Sequence, residues 1–334
     1  MRHPLVALLF VSTMVLGCAS TREAPDWISG TAAKYPSAQY LIGRGQAGNG
    51  EDARDRARAD LAKIFEVNVI AESDDLQAFR SANGGEYEGR SSRRINTRID
   101  RVVEGVEIAE TWRDPKTQDY HALAVLPRLK AGTTLRQEIA RLDDATRLQV
   151  ERARDAQDLL LKIAFAAQAA ALQSERAAVQ KSLRVVDPAG VGAEPSWNLS
   201  NLNADLDALL KRVKLAPRLS AESSDALEPI AKGALAAAGF LAETGANPDY
   251  VLETSLQLED LGRVDGWYWE RGLLQVQLME GATHRVRGTR RWQLKSSALA
   301  PEGAVKRVFD QADAVLKKEL RSTIVGFAAT QKDL

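Results

Sequence analysis

The chain has 334 residues, 45% hydrophobic and 27% charged, with Lys+Arg and Asp+Glu balanced at 45 each. That composition suits a folded protein of ordinary kind, and zero net charge leaves no basic field for nucleic acid or another polyanion. One cysteine and three histidines are too few for a soft-metal site, so no metal or cofactor is expected.

In chain order, Arg2 and His3 precede an apolar run from Leu5 to Leu16, which closes in Val15-Leu16-Gly17-Cys18 and passes into Ala19-Ser20-Thr21. A basic tip, an h-region of about a dozen apolar residues and a small-residue cleavage site describe a secretory signal peptide over 1–17. The run is too short for a bilayer span, which needs about 20 residues, and no later apolar run reaches that length. A small residue followed by cysteine resembles the lipobox of bacterial lipoproteins. The resemblance implies that Cys18 becomes the lipidated N-terminus, carrying palmitate-type chains. Each buried acyl CH₂ contributes roughly 0.8 kcal/mol, so two or three such chains hold a protein on a membrane. With Ala19 and Ser20 following and no Asp next to the cysteine, the likeness to Gram-negative lipoproteins implies the outer membrane, facing the periplasm. No thiol then remains for a disulfide, although the compartment is oxidising.

Residues 18–37 hold Pro25, Trp27, Ile28 and Pro36 without periodicity and read as a lipidated tether. An α+β module is expected over 38–130. It opens with a strand at Tyr40–Gly45 punctuated by Gly48 and Gly50, followed by a helix from Glu51 to Phe65 with Ala53, Ala57, Leu61 and Ala62 on its apolar stripe. A strand at Val67–Ile70, a polar loop over Ser73–Ser92 and strands between Ile95 and Arg128 follow. Asp114-Pro115-Lys116-Thr117 is the turn of a hairpin. A long helical, coiled-coil-like region is expected over 131–218, because Leu135 to Val185 contains neither Gly nor Pro. It reads as a single arm, which unbroken would reach about 75 Å, or as a long helical pair. The alternative is two helices with a turn near Asp143-Asp144 or Gln173-Ser174. Leu210, Val213 and Leu215 extend this region past Pro188. A second α+β module occupies 219–330, with a helix over Ser224–Phe240 and strands at Tyr250–Leu256, Leu273–Leu278 and Arg285–Leu294. A closing helix spans Ala304–Phe327.

Pro25-Asp26-Trp27-Ile28, Tyr35-Pro36, Tyr40-Leu41-Ile42-Gly43-Arg44-Gly45 and the Asp52-Ala53-Arg54 helix start carry a family likeness. Gly105 to Trp112, with its return strand His121 to Leu126, extends it. Together they resemble the LPP20 family of bacterial envelope lipoproteins over the first third of the mature chain. The resemblance implies surface or flagellum-associated lipoproteins with a scaffolding role and no assigned enzyme activity. Asp249-Tyr250-Val251-Leu252 is similar to a short piece of the periplasmic lipoproteins that activate peptidoglycan synthases.

Little in the sequence points to catalysis. His121 sits in a strand beside Tyr120 as a sheet-face residue, His284 is isolated, and no Gly-x-Ser-x-Gly elbow occurs. Gly43, Gly45, Gly48 and Gly50 fit neither the dinucleotide fingerprint nor the P-loop and read as a backbone turn. Asp143-Asp144 and Asp74-Asp75 read as solvated faces. Two surface features remain as partner-binding candidates. Trp267 and Trp269, with Arg271, alternate onto one face of an extended segment, where they either cover the core of the last sheet or form an interaction hot spot. Arg285, Arg287, Arg290 and Arg291 either meet an acidic partner or lipid phosphate, or protect a solvated edge strand. The expected role is structural, through contacts with other envelope proteins and with self-association into a homo-oligomer compatible with it. Regulation of a peptidoglycan synthase is the alternative.

Overall fold

The computed structural model describes residues 23–71, 105–221, 223–242 and 247–329. It is an α+β fold in two modules. The first opens with a short helix α1 (Asp26–Ser29), then β1 (Tyr40–Ala47) and α2 (Gly50–Ala71). Two further strands, β2 (Glu107–Arg113) and β3 (Tyr120–Pro127), complete an antiparallel sheet in the order β1-β3-β2. Asn49 starts α2 by accepting from the Asp52 amide at 2.9 Å, while its own amide reaches the Asp52 carboxylate at 2.8 Å. Ala53, Ala57, Leu61 and Phe65 then form one buried stripe on the sheet. The helix lies directly on β1. A Cβ on Gly43 would stand 2.3 Å from the Ala57 carbonyl oxygen, and one on Gly45 2.0 Å from that of Ala53. These glycines therefore serve close packing. The strand expected at Val67–Ile70 is instead the end of α2: without Gly or Pro to stop it, an established helix propagates through residues of modest helix propensity. The polar loop expected at Ser73–Ser92 and the strand residues Ile95, Ile99 and Val102 lie outside the described residues.

The tether expectation for 18–37 needs correcting at its C-terminal end. Trp27 is 3% exposed and packs with Leu123 and Val125 on the sheet face opposite α2, alongside Ile28, Ala32 and Tyr35. An apolar segment beside an uncovered sheet face lowers its free energy by lying down on it.

The long helical stretch is a hairpin, α3 (Arg128–Asp155) and α4 (Leu159–Val186), each about 42 Å long. Its turn is Ala156-Gln157-Asp158, so neither the single arm nor a turn at Asp143-Asp144 or Gln173-Ser174 is found. Those residues instead join the two helices. Gln173 Nε2 donates to Asp143 Oδ1 at 3.0 Å and to Thr146 Oγ1 at 2.9 Å, and Arg176 Nε reaches Asp143 at 3.1 Å. The start of α4 (Leu160, Ile163, Ala164) lies in the second module's core and its end (Val179, Leu183, Val186) in the first's.

The second module contains α5 (Leu199–Leu210), β4 (Lys214–Leu219), α6 (Leu227–Ala237) and β5 (Leu241–Ala242). Then come β6 (Tyr250–Val264), β7 (Trp267–Glu280), β8 (Val286–Ala298) and α7 (Pro301–Ala329). The sheet order is β5-β4-β6-β7-β8. β4 pairs in parallel with β5 and β6, and β6-β7-β8 is an antiparallel meander. Val213 and Leu215, expected to extend the helical region, are buried at the start of this sheet. One sheet face, through Leu252, Leu256, Leu274, Val276, Leu278, Trp292 and Leu294, packs on α4, α6 and the Val308–Ala312–Leu316–Leu320–Ile324 stripe of α7.

A partly buried ionic cluster around the buried Arg287 ties the hairpin turn to this module. Asp158 caps α4 by accepting from the Leu161 amide at 2.9 Å. Its other oxygen meets Arg287 Nη1 at 2.9 Å and the Tyr250 hydroxyl at 3.4 Å. Arg287 Nη1 also reaches Glu280 Oε1 at 3.0 Å, which Arg285 Nη2 meets at 2.6 Å. Hydrogen bonds from Thr283, Arg285 and Arg287 hold the Glu280 carboxyl down at about 2, while burial and the Asp158 charge push the Tyr250 phenol up to about 12.

Gly45→Ala should lower stability by about 3 kcal/mol through backbone overpacking, whereas Gly48→Ala, facing open space, should leave the urea midpoint within error. A depressed carboxyl stabilises the fold above its ordinary value of 4.5 and loses that contribution as pH falls toward 2. Thermal melts of Glu280→Gln should therefore lie below the native protein at neutral pH and converge with it toward pH 2.

Candidate functional site

Cys18 lies outside the described residues; the chain that follows it enters the fold at Trp27. Trp27 Nε1 donates to Glu110 Oε2 at 2.8 Å, and Lys34 Nζ and the Tyr35 hydroxyl reach Glu110 Oε1 at 3.1 and 3.3 Å. Arg44 secures the α1 backbone by donating to the carbonyls of Trp27 at 2.7 Å and Gly30 at 2.9 Å. Burial works against the charge of Glu110, but the Lys34 and Trp27 hydrogen bonds outweigh it and hold the carboxyl below its ordinary range. The stretch from Cys18 to Trp27 spans at most about 30 Å even fully extended. Whatever holds Cys18 thus holds the first module close by.

The second sheet has a face that no helix of the described residues covers. β6 and β7 join through Asp265 and Gly266, both at positive φ (49° and 83°), as a two-residue hairpin turn requires. Because Leu274, Val276 and Leu278 point into the core, Trp267, Trp269, Arg271, Leu273 and Gln275 point the other way. The core-covering reading of the two tryptophans is therefore overturned. Trp267 is 40% exposed, and the half-buried Trp269 carries Lys295 Nζ 4.6 Å from its ring centroid. Arg271 Nη1 meets its cross-strand neighbour Glu259 at 2.9 Å. Arg291 Nε donates to Gln275 Oε1 at 2.6 Å. Beside that pair lies a groove of about 360 Å³ lined by Ser220, Ser223, Glu253, Ser255, Gln257 and Leu273 as well.

Of the arginines grouped in the sequence, Arg287 does not belong on the surface. Its side chain is 3% exposed, because the irregular pairing at Leu278/Met279 turns it inward to Asp158 and Glu280. Glu253, Ser255 and Gln257 drew no attention in the sequence, where alternate polar residues on a strand are the common solvated face; their alternation with Leu252, Thr254 and Leu256 was the available signal. His121 lies beside the Trp112 ring, centroids 5.4 Å apart, and His284 sits in the β7–β8 turn at φ 56°. Asp74 and Asp75 are outside the described residues. Among the described residues no helix is long and apolar enough to cross a membrane.

Residues 25–127 match the LPP20 lipoprotein family. The span coincides with the first module together with the segment that Glu110 pins to it, as the sequence likeness implied. The LPP20 match supports a lipoprotein of the cell envelope. No curated protein matches the chain. Among solved structures, the secreted protein HP1454 from Helicobacter pylori is similar at 12% identity and TM-score 0.41, over 88% of this chain and 99% of that one. A minor lipoprotein from Acinetobacter baumannii is similar at 18% identity and TM-score 0.28, over 34% of this chain and 94% of its own. Protein XCC0632 from Xanthomonas campestris follows at 14% identity and TM-score 0.28, over 42% and 93%.

The pinning of the N-terminal segment is open to a direct check. Glu110→Ala removes three side-chain hydrogen bonds and should speed tryptic cleavage after Lys34 by about tenfold or more, followed by mass spectrometry on the folded protein.

Proposed function

We propose that this protein is a structural lipoprotein of the outer membrane, anchored through Cys18 and facing the periplasm, that acts by contacts with other envelope proteins and not by catalysis. One observation carries the reading: the segment after Cys18 is built into the LPP20-matching module, with Trp27 buried and bonded to Glu110. A body whose first module stays within about 30 Å of its anchor suits a part fixed in an assembly. The shared hairpin, which belongs to both cores, supports the same reading, since it gives partners a stiff body to dock on. Self-association and a place in a flagellum-associated structure are forms this role can take. A long arm would suit reach toward a peptidoglycan-building enzyme; among the described residues that stretch is folded back as the hairpin, which supports the scaffold over the regulator.

The test is in-cell crosslinking and fractionation of the native protein beside Cys18→Ser. The native protein should sediment with outer membranes and crosslink specific envelope proteins, and the variant should appear in the soluble periplasmic fraction without them. If Cys18→Ser fractionates and crosslinks as the native protein does, both the anchor and the scaffold reading fail.

A further inference from the structure

The groove on the open face of the second sheet offers a set of groups that no other part of the described structure uses. Glu253 only accepts hydrogen bonds, Arg291 only donates them, and Ser220, Ser255 and Gln257 do both. Among the described residues, the side chains of Glu253, Ser220, Ser255 and Gln257 make no hydrogen bond or ion pair with another protein group. Gln275 and Arg291 are held in place by their own bond at 2.6 Å. Strand register sets the pattern: Ser255, Gln275 and Arg291 form one row across β6, β7 and β8, and Gln257 with Leu273 the next. The groups on β6, β7 and β8 therefore stand at fixed spacings of about 4.8 Å across and about 6.8 Å along the sheet, with Ser220 beside them in the loop after β4. At about 360 Å³ the groove is within the size range of small-ligand sites.

Its chemistry narrows the occupant. One carboxylate and one guanidinium give no excess charge for a polyanion. Leu273 is the groove's single apolar residue, whereas the buried centres of protein interfaces are depleted in charge and enriched in aromatic groups. A ligand carrying many hydroxyls satisfies an acceptor, a donor and mixed groups at once, and its carbon faces can rest on Leu273 and on the exposed Trp267 farther along the same face. We propose that this face is a glycan-binding surface, the Glu253–Arg291 groove holding two or three units of a neutral sugar chain that runs on toward Trp269 and Trp267. The inference does not rest on the lipid anchor or on any protein partner.

The experiment is calorimetric titration of the full-length protein in detergent micelles with a pentamer of N-acetylglucosamine and with cellopentaose. Saturable binding of either sugar is expected. Glu253→Ala combined with Ser255→Ala should weaken it at least about tenfold, with the circular dichroism spectrum unchanged because both residues lie on the solvent face. Gln257→Trp, which fills the groove without removing a core contact, should abolish binding and guards against misreading a folding defect. Absence of binding to both sugars by the native protein, or equal affinity in the native protein and Gln257→Trp, would overturn the assignment. So would capture of an envelope protein by a photocrosslinker at position 257 in a chain that binds no sugar, since the face would then be a protein interface.

Discussion

The start of α4 buries Leu160, Ile163 and Ala164 in the core of the second module, and its end buries Val179, Leu183 and Val186 in the core of the first. This helix packs on α2, α3, α5 and α7, and so touches helices of both modules. Apolar burial at both ends means the modules cannot separate without exposing one of the two sets to water, at roughly 25 cal/mol per Å² uncovered. Between those ends the helix is polar and still buried: Gln173, Ser174, Glu175 and Arg176 are each 5% exposed or less. Asp143 and Thr146 of α3 answer Gln173 and Arg176, and Arg176 also reaches the carbonyls of Ala193 and Glu194. Apolar contacts alone would tolerate sliding one helix past the other by a turn. A buried ion pair with fixed hydrogen-bond directions does not, and pinning register is the best-attested use of such pairs.

The break in the long helical run shows what a local reading of the sequence misses. No Gly or Pro marks Ala156-Gln157-Asp158, and residues such as Ala and Gln are good helix formers. The turn is placed by Asp158, which caps α4 and at the same time pairs with Arg287, 129 positions later in the chain. Only the folded second module supplies that partner. The same long-range logic hid Arg287, whose place among neighbouring arginines suggested surface charge while a pairing irregularity turns it inward. It also hid the end of the tether, since Trp27 finds its cover, Leu123 and Val125, about a hundred residues along. Periodic and alternating stretches were legible because their signal is local: the α2 stripe, the Asp114 turn, β7 and the α7 stripe all stand where their patterns put them. The open-face groove was half legible. Trp267, Trp269 and Arg291 stood out by residue type, but Glu253, Ser255 and Gln257 matter only through their register with β7.

The two sheets differ in a way their central strands already encode. In β3, five consecutive residues from Ala122 to Leu126 are buried, because α2 lies on one face and the Trp27 segment on the other. In β7, burial alternates strictly from Glu270 to Leu278, the mark of a sheet with one face on the core and one toward solvent. The first sheet has therefore spent both faces on folding, one of them on securing the segment that leads from Cys18. The second has spent one. Its free face holds polar groups at strand-fixed spacings with two tryptophans beside them, and long exposed strands of that kind are otherwise a hazard that proteins blunt with charge. Capping by Arg307 and Gln311 of α7, which donate to the carbonyls of Ser297 and Lys295, protects the end of β8 against edge pairing. The edge is thus guarded while no described helix lies over the face, and on the two proposals made above attachment would fall to the first module and recognition to the second.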